Sequence, residues 1–188
     1  RIYRFLALGG LAHPLWTPKM FVNLLQKVVN MREYNGYGGR FIEKISPVSS
    51  SLTIVIGELN GSFHSLARGL RSMHKQGLIK ENLSIDQPDC YIVINGNACS
   101  RSPYAMETLT VLLQLLYKNP DKVFYIRGSQ EDMKRWLHYS LGRDLLDRAY
   151  MLDKSTIPFQ DLVNKFFNTL PLALYLVGKQ SNKVIEVV

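Results

Sequence analysis

The chain has 188 residues, of which 46% are hydrophobic, and it carries a formal net charge of +8. This length and hydrophobic content suit one globular domain with a substantial core, or a large part of a bigger domain. A basic balance can indicate an anionic partner such as nucleic acid, but here the charges are scattered and no dense Lys/Arg run is present. We therefore assign the charge to solubility, and a nucleic-acid partner is unsupported.

Cysteine usage and hydropathy restrict the class further. The two cysteines, Cys90 and Cys99, are too few for a disulfide framework, and no Cys/His pattern has the spacing of a zinc site. This usage favours a reducing compartment such as the cytoplasm. No apolar run reaches the ~20 residues of a membrane-spanning helix, so we predict no membrane span. We interpret the short apolar segment at 5–12 as a packed N-terminal segment and not as the core of a signal peptide.

The first 45 residues predict a helical extension. Thr17 and Pro18 suit a helix cap and the first helical position, and apolar side chains then recur at helical spacing through residue 30. Three glycines between residues 34 and 40 indicate a loop, and a Ser/Pro stretch at 46–51 indicates a linker. We thus predict a helical N-terminal extension at 1–45 and a second domain at 46–188.

From residue 52 onwards, strand-like and helix-like segments alternate. The predicted strands cover residues 52–56, 91–94, 123–126, 172–177 and 183–188, the last two as a hairpin. The predicted helices cover residues 62–76, 105–117, 131–139, 143–151 and 159–168. Gly77 is expected to end the first of these helices, and Pro120 stops the second. Alternation of this kind is typical of an α/β sheet covered by helices.

Three of the predicted strands end in a glycine-containing polar loop that leads into a helix. The loops read Gly-Glu-Leu-Asn-Gly at 57–61, Gly-Asn-Ala-Cys-Ser-Arg at 96–101 and Arg-Gly-Ser-Gln-Glu at 127–131. Ligands of open α/β sheets bind at the carboxyl ends of the strands. One such loop is ordinary turn chemistry, but three in order indicate a site.

In order and spacing, these loops resemble the motifs of the PPP Ser/Thr phosphatases, which are calcineurin-like metallophosphoesterases. The family's motifs are Gly-Asp-x-His-Gly, Gly-Asp-Tyr-Val-Asp-Arg-Gly and Leu-Arg-Gly-Asn-His-Glu. The helix at 104–113 and the Phe-Asn-Thr-Leu-Pro-Leu-Ala stretch at 167–173 are also similar to the family's. The resemblance runs from about residue 52 to 188. It implies the N-terminal half of an α/β/β/α sandwich, with the half that supplies further His ligands outside this sequence.

The positions that match the family's metal ligands have nearly all changed. Glu58 stands at the first-motif Asp, Asn60 at the first-motif His, and Asn97 at the Asp that bridges the two metals. In a two-metal hydrolase the cations lie ~3.5–4 Å apart, and negative bridging ligands offset their repulsion. The neutral amide of Asn97 provides far less of that compensation.

The groups that match the family's acid–base pair are replaced as well. Ser129 and Gln130 match a metal-binding Asn and the His that acts as general acid, and Ser100 matches the Asp that partners this acid. Neither Gln nor Ser titrates near neutral pH, so neither can serve as a general acid. Arg101, which matches a phosphate-binding Arg, and Glu131 are retained.

Each of these positions also has a plain structural interpretation as a polar turn or cap residue. Arg101 fits a retained oxyanion-binding group and a salt-bridge arginine equally well, and Glu131 suits the start of a helix. His64 fits a surface histidine better than a ligand. Cys99 would face the cleft according to the resemblance, but no neighbour in sequence lowers its pKa.

The preferred hypothesis is a catalytically inactive pseudophosphatase that acts as a structural or protein-interaction scaffold without a cofactor. One alternative is a phosphoesterase in which Glu58, Asn60 and Asn97 hold a single Mg²⁺ or Ca²⁺ ion. Another is a phosphate- or polyanion-binding module centred on Arg101 and the loop amides. We expect the partners to be other protein subunits that pair against the C-terminal strands, because the apolar strand at 183–188 would otherwise leave a free edge.

Overall fold

The computed structural model describes residues 18–47, 50–99, 101–132, 134–152, 159–177 and 185–187. Within these ranges the chain forms five α-helices and six strands. The helices are α1 (Pro18–Tyr34), α2 (Phe63–Lys75), α3 (Ala105–Lys118), α4 (Ser140–Leu152) and α5 (Phe159–Asn168). The strands are β1 (Ile42–Ile45), β2 (Leu52–Ile56), β3 (Cys90–Ile94), β4 (Val123–Tyr125), β5 (Ala173–Leu176) and β6 (Ile185–Val187). This order of elements confirms the predicted α/β class.

β2, β3 and β4 form a parallel sheet whose strands all end at the same edge. Ile56 pairs with Ile94, and Ile94 pairs with Tyr125. The helices α2 and α3 supply the crossovers that parallel neighbours require. The register therefore brings the loops after the three strands together.

β1, β5 and β6 form a second sheet in which β5 lies in the middle, parallel to β1 and antiparallel to β6. The antiparallel pair confirms the two predicted hairpin strands, although residues 178–184 between them lie outside the described part. β1 corrects the prediction of a helical extension at 1–45, because this segment also supplies a strand to the domain. Both edges of β5 are thus filled by the chain itself, and within the described ranges β6 pairs with β5 alone.

An apolar layer between the two sheets fixes their face-to-face packing. Val93, Phe124 and Ile126 contribute to it from the first sheet and Leu174 from the second. Because strand side chains alternate, the opposite face of β3 and β4 packs against the helices in the main core. The described residues therefore build three layers of the predicted α/β/β/α sandwich, in the order helices, first sheet, second sheet.

The helix α1 is part of this core and is longer than the predicted 18–30. Its apolar side chains Phe21, Leu25 and Val28 are fully buried and pack with those of α3 and α5. None of the described helices is long and apolar enough to cross a membrane.

The predicted helix at 131–139 is wrong. Of its described residues, only the 3₁₀ turn Trp136–His138 is helical. Glu131, which was expected at a helix start, is 1% exposed and hydrogen-bonded to the preceding loops. The Asp132 side chain accepts a hydrogen bond from the Lys134 N–H and holds a turn there. Tertiary contacts thus override the local helix propensity.

A buried arginine ties α1 to the end of α5. Arg32 donates through Nε to Thr169 Oγ1 (2.7 Å) and through Nη2 to the Thr169 carbonyl oxygen (2.6 Å). Its guanidinium carbon lies 4.1 Å from the centroid of the Tyr37 ring. Burial lowers the pKa of Arg32 to about 10, against the opposing effects of Tyr37 and Glu43, so the side chain remains charged at neutral pH.

We predict that Arg32→Met lowers the free energy of unfolding by about 3 kcal/mol, because it removes two hydrogen bonds and leaves a buried carbonyl unpaired. Urea unfolding followed by circular dichroism measures the change. Arg68→Met is the matched control: the Arg68 side chain is exposed and its Nη2 lies 3.4 Å from Ser65 Oγ, so its loss should cost less than about 1 kcal/mol. Equal losses in the two variants would contradict a special role for the buried arginine.

Candidate functional site

The three polar loops meet at the end of the first sheet, and two glycines permit their close approach. The Asn60 N–H donates to the Asn97 carbonyl oxygen at 2.9 Å. Gly96 has a φ of +68°, and a Cβ on it would lie 2.5 Å from the Gly128 nitrogen. A Cβ on Gly128 would lie 2.4 Å from the Asn97 nitrogen. Only glycine fits at these two positions, so the second and third loops touch through their backbones.

Glu131 holds the second and third loops together. Its carboxylate accepts hydrogen bonds from the backbone N–H groups of Asn97, Ala98 and Gly128 and from the Tyr125 hydroxyl, each at 2.9 Å. Four donors to one carboxylate offset the cost of burying its charge. Because both oxygens are saturated by protein donors, Glu131 is a structural support and offers no free oxygen to a ligand.

Tyr125 and Cys99 form the buried floor beneath these loops. Burial raises the pKa of the Tyr125 hydroxyl well above its usual value, and the nearby Cys99 and Glu131 raise it further. Burial, with Glu131 as the second cause, also raises the pKa of the Cys99 thiol well above its usual value. Cys99 is only 5% exposed, so it is a protonated core residue and not the cleft-facing thiol that the resemblance implied.

Asn97 lies at the centre of the site, and its partners determine the orientation of its amide. Its Oδ1 accepts hydrogen bonds from the Gln130 backbone N–H (3.1 Å) and from the Ser129 hydroxyl (3.2 Å). Its Nδ2 donates to Glu58 Oε1 at 2.7 Å. The backbone N–H can only donate and an ionised carboxylate can only accept, so the oxygen and nitrogen of the amide cannot be exchanged.

The other replaced residues extend the same network. Asn60 Nδ2 lies 3.4 Å from Glu58 Oε2, and Gln130 Nε2 donates to Asn60 Oδ1 at 3.0 Å. The structure thus brings five of the candidate positions into one hydrogen-bonded cluster, which we call the amide cluster: Glu58, Asn60, Asn97, Ser129 and Gln130. Ser100 lies outside the described residues, so its assigned part in the lost acid–base pair stays a prediction.

The chemistry of the amide cluster does not fit two adjacent cations. Its single carboxylate, Glu58, is in contact with two amide NH₂ groups, and the Asn97 atom nearest to it is a donor where a bridging ligand needs an oxygen. Glu131, the other nearby carboxylate, is saturated. Within the described ranges, no group of three or more His, Cys, Asp or Glu side chains is placed to hold a metal ion.

Arg101 lines a groove of about 480 Å³ beside the amide cluster. Its backbone N–H donates to the Asn60 carbonyl oxygen at 3.2 Å, and its side chain is exposed. His138 and Arg143 add further nitrogen groups to the groove, and two aspartates near the start of α4 add negative charge. The groove therefore has mixed charge.

Two features of the site escaped sequence reasoning. Tyr125 reads as an ordinary apolar strand residue, and nothing local marks its hydroxyl as a donor to Glu131. His138 and Arg143 lie in a segment whose helix limits were predicted wrongly, so nothing in the sequence indicated that they lie beside Arg101. His64 is exposed and its ring packs edge-on against Tyr104 at 5.1 Å, as a surface histidine.

Comparison with known proteins points to phosphatases. Serine/threonine-protein phosphatase 7 of Arabidopsis thaliana is 28% identical over 131 residues, covering 70% of this chain and 29% of the relative. Serine/threonine-protein phosphatase rdgC of Drosophila melanogaster is 31% identical over 138 residues, covering 72% and 19%. A solved Saccharomyces cerevisiae serine/threonine phosphatase with similarity to human phosphatase PP5 superposes with a TM-score of 0.65 at 16% identity, covering 86% of this chain and 45% of that one. No family model matches the chain, which spans less than a third of the length of these curated relatives.

We predict that Asn97→Asp destabilises the protein by about 2 kcal/mol at neutral pH, because it places a second carboxylate against Glu58. Such a pair raises the pKa of one member above its unfolded value. The destabilisation should therefore be full at neutral pH and fade as the pH falls through that raised pKa. Thermal melts from about pH 4 to about pH 8 measure the destabilisation, because ordinary carboxyl pKa values are about 4 and the raised pKa lies above them.

The double variant Glu58→Gln/Asn97→Asp is the control for this experiment, because it exchanges the amide and the carboxylate and restores the pair. Its stability should return to within about 1 kcal/mol of the wild type. A single variant as stable as the wild type at every pH would contradict the placement of the two side chains.

We also predict that Glu131→Gln lowers the free energy of unfolding by about 3 kcal/mol. An amide has one acceptor oxygen, and its NH₂ group would face backbone N–H donors that then lose their partner in a buried site. Chemical denaturation is the measurement. Glu81→Gln, at an exposed position, is expected to change stability by no more than about 0.5 kcal/mol. If Glu131→Gln lost no more stability than Glu81→Gln, the four hydrogen bonds to Glu131 would contribute little.

Proposed function

This chain is a relative of the PPP Ser/Thr phosphatases with part of the calcineurin-like fold, and from that premise we propose that it is a pseudophosphatase. In this proposal it does not hydrolyse phosphate esters and serves as a structural or protein-interaction scaffold. The observation that carries the proposal is the direct hydrogen bond between Asn97 and Glu58, at 2.7 Å.

That hydrogen bond supports a site that is stable without cations. A cluster of carboxylates needs bound cations to offset its own repulsion. In the amide cluster the NH₂ groups of Asn97 and Asn60 contact the Glu58 carboxylate and offset its negative charge in place of a cation. The replaced residues complement one another, so the strand ends keep their arrangement with no metal to hold them.

The acid–base chemistry supports the same proposal. Ser129 and Gln130 cannot exchange protons near neutral pH. Of the retained groups, Glu131 is saturated with donors and so offers no free oxygen to a proton or a water. Catalytic groups act as a unit, so a partial set is not expected to give a partial rate.

The scaffold role draws support from exposed apolar side chains on the second sheet. Phe41, Ile42 and Leu172 are 67%, 57% and 56% exposed, and the Leu172 N–H donates to the Phe41 carbonyl oxygen at 2.8 Å. Neighbouring exposed apolar side chains of this kind mark contact surfaces. A protein subunit, or further residues of the same polypeptide, would cover them and could also pair with the edge of β6 that has no partner strand among the described residues.

We predict that the purified full-length protein shows only background turnover of aryl phosphates and phosphopeptides in excess Mn²⁺. The Glu58→Ala variant should give the same background rate, because no cation depends on that carboxylate for catalysis. Elemental analysis should find no stoichiometric pair of Fe, Zn or Mn. Two metal ions per chain, together with turnover that Glu58→Ala removes, would refute the proposal.

The groove beside the amide cluster favours a second candidate, a phosphate- or polyanion-binding module. Arg101, His138 and Arg143 line it together with two aspartates, and two guanidinium groups suit a phosphoryl group. Calorimetric titration with a phosphopeptide tests this candidate: Arg101→Ala should abolish binding, and an unphosphorylated peptide should not bind.

The altered-metal alternative has less support. Asn60 Oδ1 and Asn97 Oδ1 already accept hydrogen bonds from Gln130 and Ser129, which leaves Glu58 as the main ligand for a single Mg²⁺ or Ca²⁺ ion. The expectation of a reducing compartment stays a prediction, and a nucleic-acid partner stays unsupported.

A further inference from the structure

A groove of about 420 Å³ lies between the outer faces of α1 and α3, and none of its lining residues belongs to the amide cluster. Met20, Leu24 and Tyr117 supply its apolar surface, and Lys27 and Lys118 supply its charge. Met20 and Tyr117 are 42% and 43% exposed, although both are large apolar or aromatic side chains. Leu24 is 7% exposed and belongs to the core between α1 and α3, so Met20 and Tyr117 are the exposed apolar or aromatic side chains of the groove.

The charge of this groove has one sign. The other lining residues are the uncharged amides Asn23 and Gln114, and no Asp or Glu is among them. Lys27 and Lys118 are exposed, and neither forms a salt bridge within the part of the chain that the structure describes. Two lysines beside the exposed Met20 and Tyr117 side chains provide electrostatic complementarity for carboxylates on a partner.

We propose that the groove binds an amphipathic helix of an acidic protein partner. Apolar side chains at helical spacing on the partner would enter between α1 and α3, and Asp or Glu side chains on either side of that stripe would pair with Lys27 and Lys118. The lining residues run from 20 to 27 on α1, a rise of about 11 Å, which matches a contact with about two turns of a partner helix.

Two other occupants fit the groove less well. A nucleic acid would use the lysines, but the thioether of Met20 and the side chain of Leu24 offer it no polar contact, and no arginine lines the groove. The residues before Pro18 carry Arg1 and Arg4 and no acidic residue, so their charge does not complement the lysines.

This inference rests on the scaffold role proposed above and gives that role a partner chemistry. The two can fail separately, because helix binding is measured by a readout independent of phosphate hydrolysis. Turnover in the phosphatase assay would refute the pseudophosphatase and leave the groove untouched, whereas the absence of peptide binding would refute the groove alone.

The test uses two fluorescent helical peptides of about 18 residues with the same leucine stripe. One carries Glu at all flanking positions and the other carries Lys. Fluorescence anisotropy with the full-length protein should show the Glu peptide binding at least about tenfold more tightly than the Lys peptide at about 0.15 M salt. The variant Lys27→Glu/Lys118→Glu should reverse this preference. Met20→Ala should weaken the Glu peptide by about fivefold through lost apolar contact.

The matched control is Lys75→Glu/Lys165→Glu, which makes the same charge change at two exposed lysines on α2 and α5. It should keep the wild-type preference, and circular dichroism melts should show all variants folded. The proposal fails if this control loses as much affinity, or if a scrambled Glu peptide without the leucine stripe binds equally well. It also fails if a uridine oligonucleotide binds through the same two lysines and displaces the peptide. A Glu peptide that binds only after residues 1–17 are deleted would contradict it as well.

Discussion

A buried carboxylate that accepts four hydrogen bonds fixes the geometry at the end of the first sheet. Glu131 reaches from the third loop to the backbone of the second and is braced from below by Tyr125. Through these bonds it sets the backbone position of Asn97, and the Asn97 side chain then meets Glu58. The shape of the site therefore depends on a group that takes no part in ligand binding, so the shape can persist when the ligands change.

The amide cluster shows how a metal-site architecture can be stable with other chemistry. A carboxylate only accepts hydrogen bonds, so several of them together need cations between them. An amide both donates and accepts, and Asn97 uses both capacities, toward Glu58 on one side and toward Ser129 and Gln130 on the other. In the pseudophosphatase that we propose, amides and a hydroxyl in place of carboxylates and imidazoles exchange cation binding for hydrogen bonds within the protein.

The surfaces suited to contact lie on different layers of the fold. The exposed apolar residues Phe41, Ile42 and Leu172 belong to the second sheet, whereas the basic groove belongs to the helical layer. Between them, Arg32 joins α1 to the end of α5 and so connects the N-terminal segment to the residues that lead into β5. In the scaffold role that we propose, this buried connection would hold the two contact surfaces in a fixed relative position.

The sequence by itself determined the local elements and the identity of the loops that form the site. Hydrophobic periodicity predicted α5 with its observed limits, and Gly77 predicted the end of α2. The order of the three polar loops predicted which residues would meet. Tertiary structure alone decided that residues 42–45 form a strand beside β5, that Glu131 turns inward instead of starting a helix, and that Asn97 pairs directly with Glu58. Periodicity reflects which face of a segment is buried, and that is a local property. Strand partners and the direction of a polar side chain depend on groups distant in the sequence, which become neighbours only after the sheets and helices have packed.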